Sequence, residues 1–354
     1  MMQHLNALLL GQSKLMINGR YSGGTGGSGP TGSAGSAVSL FVMSNSTLNF
    51  LYQSDKYWLQ DNNWGSYNLS LGAYAGSGGS TYELQVGWAS PRLSISTTSQ
   101  ARPAKFRVRW AYPRSTNEVK AYPCLVYGDR PGYSNSWITP GGYPRVLPND
   151  VTASDFPSGK TPLAGVPITI DSLSAGVKVY ADINGWSRSC TGHSAGGHLS
   201  FDIWFQNSSD QNHGVSCPPL THELMIPYDF WGNNNSISGA GYGQYPYRNP
   251  SWYVSDTTIQ GKLWHMYYAP NFNGSWVFIV FEPDSVPLAM AGGRLEIGEF
   301  VLKARQMGFL NCLASVSGVA VDGSATHMVA IEFGVEPVDG QGDLTVSGYA
   351  ITVV

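Results

Sequence analysis

The sequence predicts an all-β protein, a large antiparallel β-sandwich that carries one main helix. Three observations support this prediction: an unusual composition, many short strand-like segments separated by turn residues, and a single segment with helical periodicity. The 354 residues include 43 Gly, 20 Tyr and 11 Trp, and only 12% of them are charged, whereas about 25% is typical of soluble domains. Such a composition argues against a helical bundle and against a disordered chain.

Strand-like segments, marked by alternation and by β-branched or aromatic residues, begin at Val38 and continue to the C-terminus. Clusters of Gly, Asn, Pro and Ser separate them, as expected for an antiparallel sandwich or barrel. The predicted strands are 38–43, 47–53, 56–60, 83–88, 105–111, 119–127, 167–170, 176–182, 198–206, 221–228, 261–268, 276–282, 327–335 and 344–354.

One segment, Arg294 to Cys312, has the periodicity of a helix. Its apolar residues recur at helical spacing and define one face, and they are Ile297, Phe300, Val301, Ala304 and Met307. Glu299 and Lys303 are four residues apart on the opposite side, which supports a solvated helical face.

The chain divides into an N-terminal tail with a Gly/Ser-rich linker, 1–36, and a single domain, 37–354. The linker composition of residues 22–36 predicts a flexible coil. Two long segments, 128–165 and 229–255, lack strand patterns and contain many aromatic residues among Gly and Asn. Long structured loops of this kind often shape binding clefts.

Several classes of function are excluded by what the sequence lacks. The formal net charge is −3 and no Lys/Arg run is present, so we expect no nucleic-acid partner. No run approaches the ~20 apolar residues of a membrane span, and no signal peptide is visible. The four cysteines are widely spaced, so they do not require disulfides. Cys190 and the nearby histidines are interpreted as a polar loop before a strand, and we predict no metal site.

Two carboxylates stand in apolar, strand-like runs far apart in sequence. Glu223 lies within Thr-His-Glu-Leu-Met-Ile at 221–226, and Glu336 within Gly-Val-Glu-Pro at 334–337. Burying a charged carboxylate is costly unless the site needs it, and paired carboxylates carry out glycoside hydrolysis. Strand alternation places Glu223 and Met225 on one face of their strand, and Asp202 and Trp204 on one face of theirs.

The chain resembles glycoside hydrolase family 12, the small retaining endo-β-glucanases, through motifs that occur in the family's order along most of the sequence. The matching segments are Tyr57 to Gly65, Val119 to Pro123, Phe201 to Phe205, Glu223 to Ile226, and Gly334 to Pro337 followed by a final strand. The helix at 294–312 also falls where the family has its helix. Pro227 stands where the family usually has Trp, and both long loops look expanded.

This resemblance implies a jelly-roll β-sandwich with a concave substrate cleft, and no cofactor. It implies that Glu223 is the nucleophile, that Glu336 is the general acid/base and that Asp202 is a supporting carboxylate near the nucleophile. Glu332 has the same strand parity as Glu336 and is an alternative acid; the Glu-Pro motif and the spacing to the last strand favour Glu336. His222 is interpreted as a polar neighbour rather than a catalyst.

Substrate contacts are expected mainly from aromatic side chains, because the apolar faces of pyranose rings pack on aromatic rings. Trp64 is the first candidate for such a platform, and Asn62 could hydrogen-bond a sugar hydroxyl. Trp264 is a second candidate, although Trp is mostly buried in folded proteins. Tyr122 is placed in the cleft by its family position, and Met225 as cleft packing.

The predicted function is therefore endo-hydrolysis of β-1,4-glucan with retention of configuration, with cellulose-type polysaccharide as the substrate. The expanded loops leave xyloglucan or mixed-linkage β-glucan open as preferred substrates. A non-catalytic, lectin-like sandwich and a structural, capsid-like jelly roll are the alternatives from other classes. We expect a monomer that is secreted to meet its polymer.

Overall fold

The structure is a computed structural model, and it describes the chain in segments that together form two large sheets and the helix beside them. The described residues are 41–43, 52–53, 57–60, 69–70, 80–88, 104–112, 122–128, 167–191, 197–209, 220–231, 250–272, 276–289, 292–311, 314–316, 319–321, 324–337 and 340–354. The predicted tail and linker, 1–36, lie outside this range.

Strands account for most of the described segments. They are β1 (Phe41–Met43), β2 (Tyr52–Gln53), β3 (Tyr57–Gln60), β4 (Leu69–Ser70), β5 (Ser80–Trp88), β6 (Ala104–Tyr112), β7 (Cys124–Gly128), β8 (Ile168–Thr169), β9 (Val179–Ile183), β10 (Trp186–Thr191), β11 (Gly197–Gln206), β12 (His222–Trp231), β13 (Tyr253–Ile259), β14 (Lys262–Phe272), β15 (Trp276–Pro283), β16 (Gly293–Glu296), β17 (Ala314–Val316), β18 (Val319–Val321), β19 (His327–Pro337) and β20 (Gly340–Val353). The α-helices are α1 (Ile170–Ser174) and α2 (Ile297–Gln306).

Two large sheets form the sandwich that the sequence predicts. The first runs β1-β5-β6-β20-β9-β16, with β10 also paired to β20 and β4 to β5. The second runs β13-β14-β15-β12-β11-β19-β7-β3-β2, with β8 also paired to β19. Most pairs are antiparallel as predicted, but β12–β15 and β4–β5 are parallel. The all-β sandwich class is confirmed.

The core lies between the sheets and is built from alternate residues of the central strands. Phe201 of β11 and Phe333 of β19 have ring centroids 4.5 Å apart. Phe333 also stacks on Tyr349 of β20 at 5.3 Å, and so joins the two sheets. All three residues are completely buried, and large buried aromatic side chains of this kind contribute much of a core's stability. The opposite face of β11 and β19 is therefore free for other chemistry.

Helix α2 covers one end of the core and is shorter than predicted. Its apolar face, Ile297, Phe300, Val301 and Ala304, is buried as the periodicity indicates. Gly293–Glu296 before it forms strand β16, and Gly308, with φ at 78°, follows its last turn. A positive φ is inexpensive only for glycine, so the helix ends before the predicted Cys312.

Three elements differ from the prediction because their environment overrides the local pattern. Cys190 and Thr191, which the prediction places in a polar loop, belong to β10; among the described strands β10 pairs with β20 alone, and its outer residues face solvent. β13 begins at Tyr253, within the predicted loop 229–255, continues to Ile259 and is a largely exposed edge strand. Residues 170–174, at the end of a predicted strand, form α1, whose Thr169 side chain accepts a hydrogen bond from the Ser172 amide at 3.1 Å, as an N-cap does. None of the helices among the described residues is long and apolar enough to cross a membrane.

Candidate active site

The face of the ten-stranded sheet that points away from the core carries a set of acidic side chains. Strand register defines two rows across it. In the first, which we call the Glu223 row, Glu223 of β12 lies opposite Trp204 of β11, which lies opposite Ala330 of β19. The second, the Asp202 row, contains Met225, Asp202 and Glu332 in the same order. Apolar neighbours of opposite parity, such as Leu224 and Ile203, are completely buried in the core. Strand alternation therefore places the acidic side chains and the apolar core residues on opposite faces of the sheet.

Glu223 is held in place by an indole from the next strand. The Nε1 of Trp276, on β15, donates to Oε2 of Glu223 at 2.6 Å, and the carboxylate residue is only 6% exposed. Trp276 in turn packs edge-on against Trp204 at 5.4 Å. A donor to an ionised carboxylate stabilises the charged form, and this arrangement suits a group that must attack as an anion.

Asp202 lies one strand and two residues away from Glu223, on the same face. It is 3% exposed, and Glu332, directly opposite it on β19, is completely buried. Side chains that oppose each other in this way have Cβ atoms about 4.5–5.5 Å apart, so the two carboxyl groups share one environment. The hydroxyl of Ser200 donates to Oδ1 of Asp202 at 3.4 Å. The register places Asp202 near Glu223, and its role as a supporting carboxylate stays a prediction.

Tyr122 lies in the floor of this acidic face rather than on its surface. It is 2% exposed, and its hydroxyl donates to the Ser200 carbonyl at 3.4 Å. The pKa of Tyr122 is raised well above its usual value, first by burial and then by the charges of Asp202, Cys124, Glu332 and Glu336. The phenol therefore stays protonated as a donor. Its expected contact with substrate stays a prediction.

Gly334 makes room for that ring. A Cβ on Gly334 would lie 2.5 Å from the Cβ of Cys124 and 2.9 Å from the ring of Tyr122, distances too short for any side chain. Gly334 stands between Glu332 and Glu336 on the same face of β19. Glycine in the predicted Gly-Val-Glu-Pro motif is thus explained by the close approach of residues 122–124, with Cys124 and the Pro123 carbonyl nearest and the Tyr122 ring next.

Glu336 has a separate partner, His198. The Nε2 of His198 lies 2.7 Å from Oε2 of Glu336, and the two side chains are 1% and 12% exposed. His198 opposes Glu336 in the register, six residues along β11 from Trp204, or about 20 Å at a rise of roughly 3.3 Å per residue. A retaining pair of carboxyl groups is about 5–5.5 Å apart. The resemblance implies that Glu336 lies next to Glu223. The register instead separates the two residues along the strands.

Glu332 lies closer to Glu223 by the same measure. Its row differs from the Glu223 row by two residues along β11, which is about 7 Å, and the two residues are two strands apart, about 10 Å. Among the described carboxylates of β19, Glu332 is thus the one whose backbone position lies nearer to Glu223.

An apolar surface borders the carboxylates on the side of β14 and β15. It consists of Met225, Ala269, Phe278 and Val280, with Phe230, Trp252, Tyr267, Phe272 and Trp276 packed around them. Met225 lies at the junction of this surface with Asp202, and its role as cleft packing stays a prediction. The aromatic residues of this surface, other than Trp252, were not predicted as a group. The signal available in the sequence was the alternation in 265–280, which separates them from the core-facing residues.

The prediction that Trp264 is a sugar platform is wrong. Trp264 is completely buried, its Nε1 donates to the Ile259 carbonyl at 3.1 Å, and its ring packs edge-on against Phe300 of α2 at 4.7 Å. Its parity on β14 directs it to the core and to the helix. Asn62 and Trp64 lie outside the described residues, so their predicted roles are not addressed.

His222 is neutral and structural in this arrangement, in agreement with its interpretation as a polar neighbour. It is completely buried, and its Nδ1 lies 2.9 Å from the Thr221 hydroxyl. Burial lowers the pKa of His222 to about 4, against a smaller opposing effect of a hydrogen bond with the Phe309 backbone. Across the described segments, no group of three or more His, Cys, Asp or Glu is arranged to hold a metal ion.

Comparisons with known proteins agree with this architecture. No family model matches the chain. Endoglucanase S of Pectobacterium parmentieri is 21% identical over 319 residues, 89% of each protein. A family 12 xyloglucanase from Bacillus licheniformis superposes with a TM-score of 0.52 at 19% identity, over 89% of this chain and 100% of that one. Endoglucanase 3 of Trichoderma harzianum, from family GH12, gives 0.52 at 16% identity, over 90% and 100%.

Proposed function

We propose that this chain, which has the fold of the family 12 glycoside hydrolases, hydrolyses β-1,4-glucan internally and with retention of configuration. The observation that carries the proposal is the setting of Glu223: a buried carboxylate on the cleft face, oriented by Trp276 and adjacent to Asp202. An isolated buried carboxylate is costly. Three buried carboxylates on one face, Glu223, Asp202 and Glu332, are expected where a reaction requires them.

In the proposed mechanism Glu223 attacks the anomeric carbon as the glycosidic C–O bond breaks. A second carboxyl group donates its proton to the leaving oxygen, so the new chain end departs as an alcohol. Water then gives a proton back to that group and attacks the anomeric carbon, which releases Glu223 and restores the original configuration. Asp202 supports Glu223, and the protonated Tyr122 supplies a hydroxyl to the floor of the site.

The second carboxyl group belongs to β19, and two residues compete for the role. Glu336 is supported by the Gly-Val-Glu-Pro motif and by its exposure, 9% against 0% for Glu332. Glu332 is supported by register, which places it near Glu223 while Glu336 is about 20 Å away along the strands. An acid must reach the glycosidic oxygen, so the two criteria point to different residues and a direct test is needed.

The substrate class follows from the chemistry of the face and from the relatives. The surface around Met225 offers aromatic rings, on which the apolar faces of a neutral polysaccharide can pack. The relatives include an endoglucanase and a xyloglucanase, so cellulose-type glucan is proposed first and xyloglucan or mixed-linkage glucan second. A lectin-like sandwich predicts binding of the same polymers without turnover.

The test measures reducing-sugar release from soluble cellulose, mixed-linkage β-glucan and xyloglucan. The parent chain is compared with Glu223→Gln, Glu332→Gln and Glu336→Gln, and Glu299→Gln on α2 is the matched control. Turnover in the parent and the control, lost in Glu223→Gln, supports the proposal. Binding without turnover in the parent would replace it with the lectin-like function.

The acid/base is identified by rescue. An aryl glucoside with a good leaving group needs no protonation, and azide can replace water in the second step. The true acid/base variant therefore gains activity with azide and yields a glycosyl azide of retained configuration, detectable by NMR. A variant that is merely destabilised does not gain. Rescue of Glu336→Gln alone would identify Glu336 as the acid/base, and would mean that Glu336 lies closer to Glu223 in solution than the strand register described above indicates.

We also propose that the protein is secreted, because its polymeric substrate lies outside cells. We propose further that it acts as a monomer. Activity in the culture medium of the source cells, and a gel-filtration mass near 38.2 kDa, are the expected results. Activity confined to the cells would contradict secretion, and a mass of twice that value would contradict the monomeric state.

A further inference from the structure

We propose that Tyr253 and Asp256, on the outer hairpin β13–β14, form a distant sugar-binding subsite for a neutral β-glucan chain that is cleaved at Glu223. This inference rests on the proposed function for the identity of the ligand. The placement of the two residues rests on register, exposure and hydrogen bonds alone.

The hairpin shares the face of the acidic residues. Tyr253 opposes Tyr267 of β14, which opposes Val280 of β15, and Val280 pairs with Met225 of β12. Tyr253 therefore stands in the Asp202 row, three strands beyond Met225, or about 14 Å from it across the sheet. A chain lying across the strands from Glu223 would reach it after several sugar units.

Tyr253 is exposed and yet fixed in orientation. It is 47% exposed, but its hydroxyl donates to Oδ1 of Asp256 at 2.9 Å, and its ring packs edge-on against Tyr267 at 5.8 Å. Asp256 is fixed in its turn by Nδ1 of His265 at 2.7 Å. An aromatic ring that is ordered before any ligand arrives loses little conformational entropy on binding.

The hairpin itself is anchored to the domain. Its turn consists of Gln260 and Gly261, with φ angles of 51° and 71°, the left-handed geometry of a tight two-residue hairpin. The Gln260 side chain donates to the Glu296 carbonyl at 2.9 Å and accepts from the Glu296 amide at 3.2 Å. The buried Trp264 fixes the strand behind the turn. The platform is therefore a rigid part of the sheet.

A continuous line of aromatic rings joins the hairpin to the nucleophile. Trp252 contacts Phe272 at 5.7 Å, Phe272 contacts Trp276 at 5.7 Å, and Trp276 donates to Glu223. Pyranose rings present apolar C–H faces to such rings, and their hydroxyls need acceptors of the kind that Asp256 offers. Because Asp256 and Asp284 both flank His265, the hairpin favours an uncharged polymer over an acidic one.

The experiment compares kcat/KM on polymeric β-glucan with kcat/KM on an aryl cellobioside, which is too short to span the distance. Tyr253→Ala is expected to lower the ratio of the two about tenfold, the size of one lost aromatic contact. Tyr253→Phe keeps the ring and should retain most of the ratio. Tyr180→Ala, on the outer face of the eight-stranded sheet, is the matched control. An unchanged ratio in Tyr253→Ala would overturn the subsite.

A binding measurement separates this inference from the proposed function. Calorimetric titration of Glu223→Gln and of Glu223→Gln/Tyr253→Ala with cellohexaose and cellotriose requires no turnover. Weaker binding of cellohexaose in the double variant, with a smaller change for cellotriose, supports the subsite even if the parent hydrolyses nothing. Equal binding of cellohexaose by both proteins would refute it, whatever the activity of the parent.

Discussion

Glu223 and Glu336 lie on the same face of the same sheet, but their partners differ in kind. Glu223 accepts a hydrogen bond from the Trp276 indole, which has no protonation equilibrium in the working range of pH. Glu336 is paired with His198, whose Nε2 lies 2.7 Å from Oε2 of Glu336. The difference teaches that one carboxylate is oriented by an indole that belongs to the aromatic surface, and the other by an imidazole ring from the strand that opposes it in the register.

Two buried histidines of β11 and β12 make a related contrast. His222, next to Glu223, is completely buried against a hydroxyl and a backbone group, and it is neutral. His198 is equally inaccessible but touches a carboxylate. The two histidines are buried to the same degree, and they differ in the group that each one contacts.

The largest effect is expected from Glu223→Gln. Removal of the nucleophile leaves a near-isosteric amide, so the fold should persist while kcat on β-glucan falls by at least about 10³-fold. Steady-state kinetics with far-UV circular dichroism check this outcome. Glu299→Gln on α2 should keep the parent rate. A Glu223→Gln protein that retains a tenth of the activity would remove Glu223 from the mechanism.

Removal of the contact between His198 and Glu336 should lower the stability of the fold. His198→Ala leaves Glu336 largely buried without its hydrogen-bond partner, and a buried polar group left unsatisfied costs about 1–3 kcal/mol, and more if it is charged. We expect a decrease near the upper end of that range in the free energy of unfolding, measured with urea at pH 6. Replacement by Gln, which keeps a neutral donor, should recover part of it. Equal stability of parent and His198→Ala would mean that the pair contributes nothing.

The neutral state of His222 predicts a pH dependence of stability. Its pKa is about 4 in the folded protein and about 6.5 in the unfolded chain. Below pH 6.5 the unfolded state therefore binds the proton first, and stability falls as the pH decreases from about 6.5 to about 4, by roughly 3 kcal/mol in total. Urea unfolding at pH 7.5 and pH 4.5 measures the decrease. His222→Gln should show a smaller decrease, and an equal one would locate the titration elsewhere.

The smallest effect tests the indole donor. Trp276→Phe keeps the aromatic surface but removes the hydrogen bond to Glu223, and bonds to charged groups contribute about 1.5–3 kcal/mol. A decrease in kcat/KM of about 30-fold is expected. Trp186→Phe loses a similar donor, to the Ala289 carbonyl at 2.7 Å, far from the carboxylates, and should affect stability alone. Equal losses of activity in both variants would show that Trp276 acts through packing.

The sequence determined the fold class and the identity of the acidic strands because both depend on local pattern. Alternation in 221–226 separates Glu223 from Leu224, and the structure places them on opposite sides of the sheet. The periodicity of 297–304 likewise gave the buried face of α2. These features need only the period of a strand or a helix, which is the same in every context.

Tertiary structure decided what meets across the strands. Trp276 and His198 were not predicted as partners of the carboxylates, since register between segments 53 or 138 residues apart is fixed by packing and not by local pattern. Trp264 looked like a platform from its position in a strand, but α2 packs over that side of the sheet and buries it. The separation between Glu223 and Glu336 has the same origin: parity placed both on one face, and only the register of β11 with its two neighbours set the distance between them.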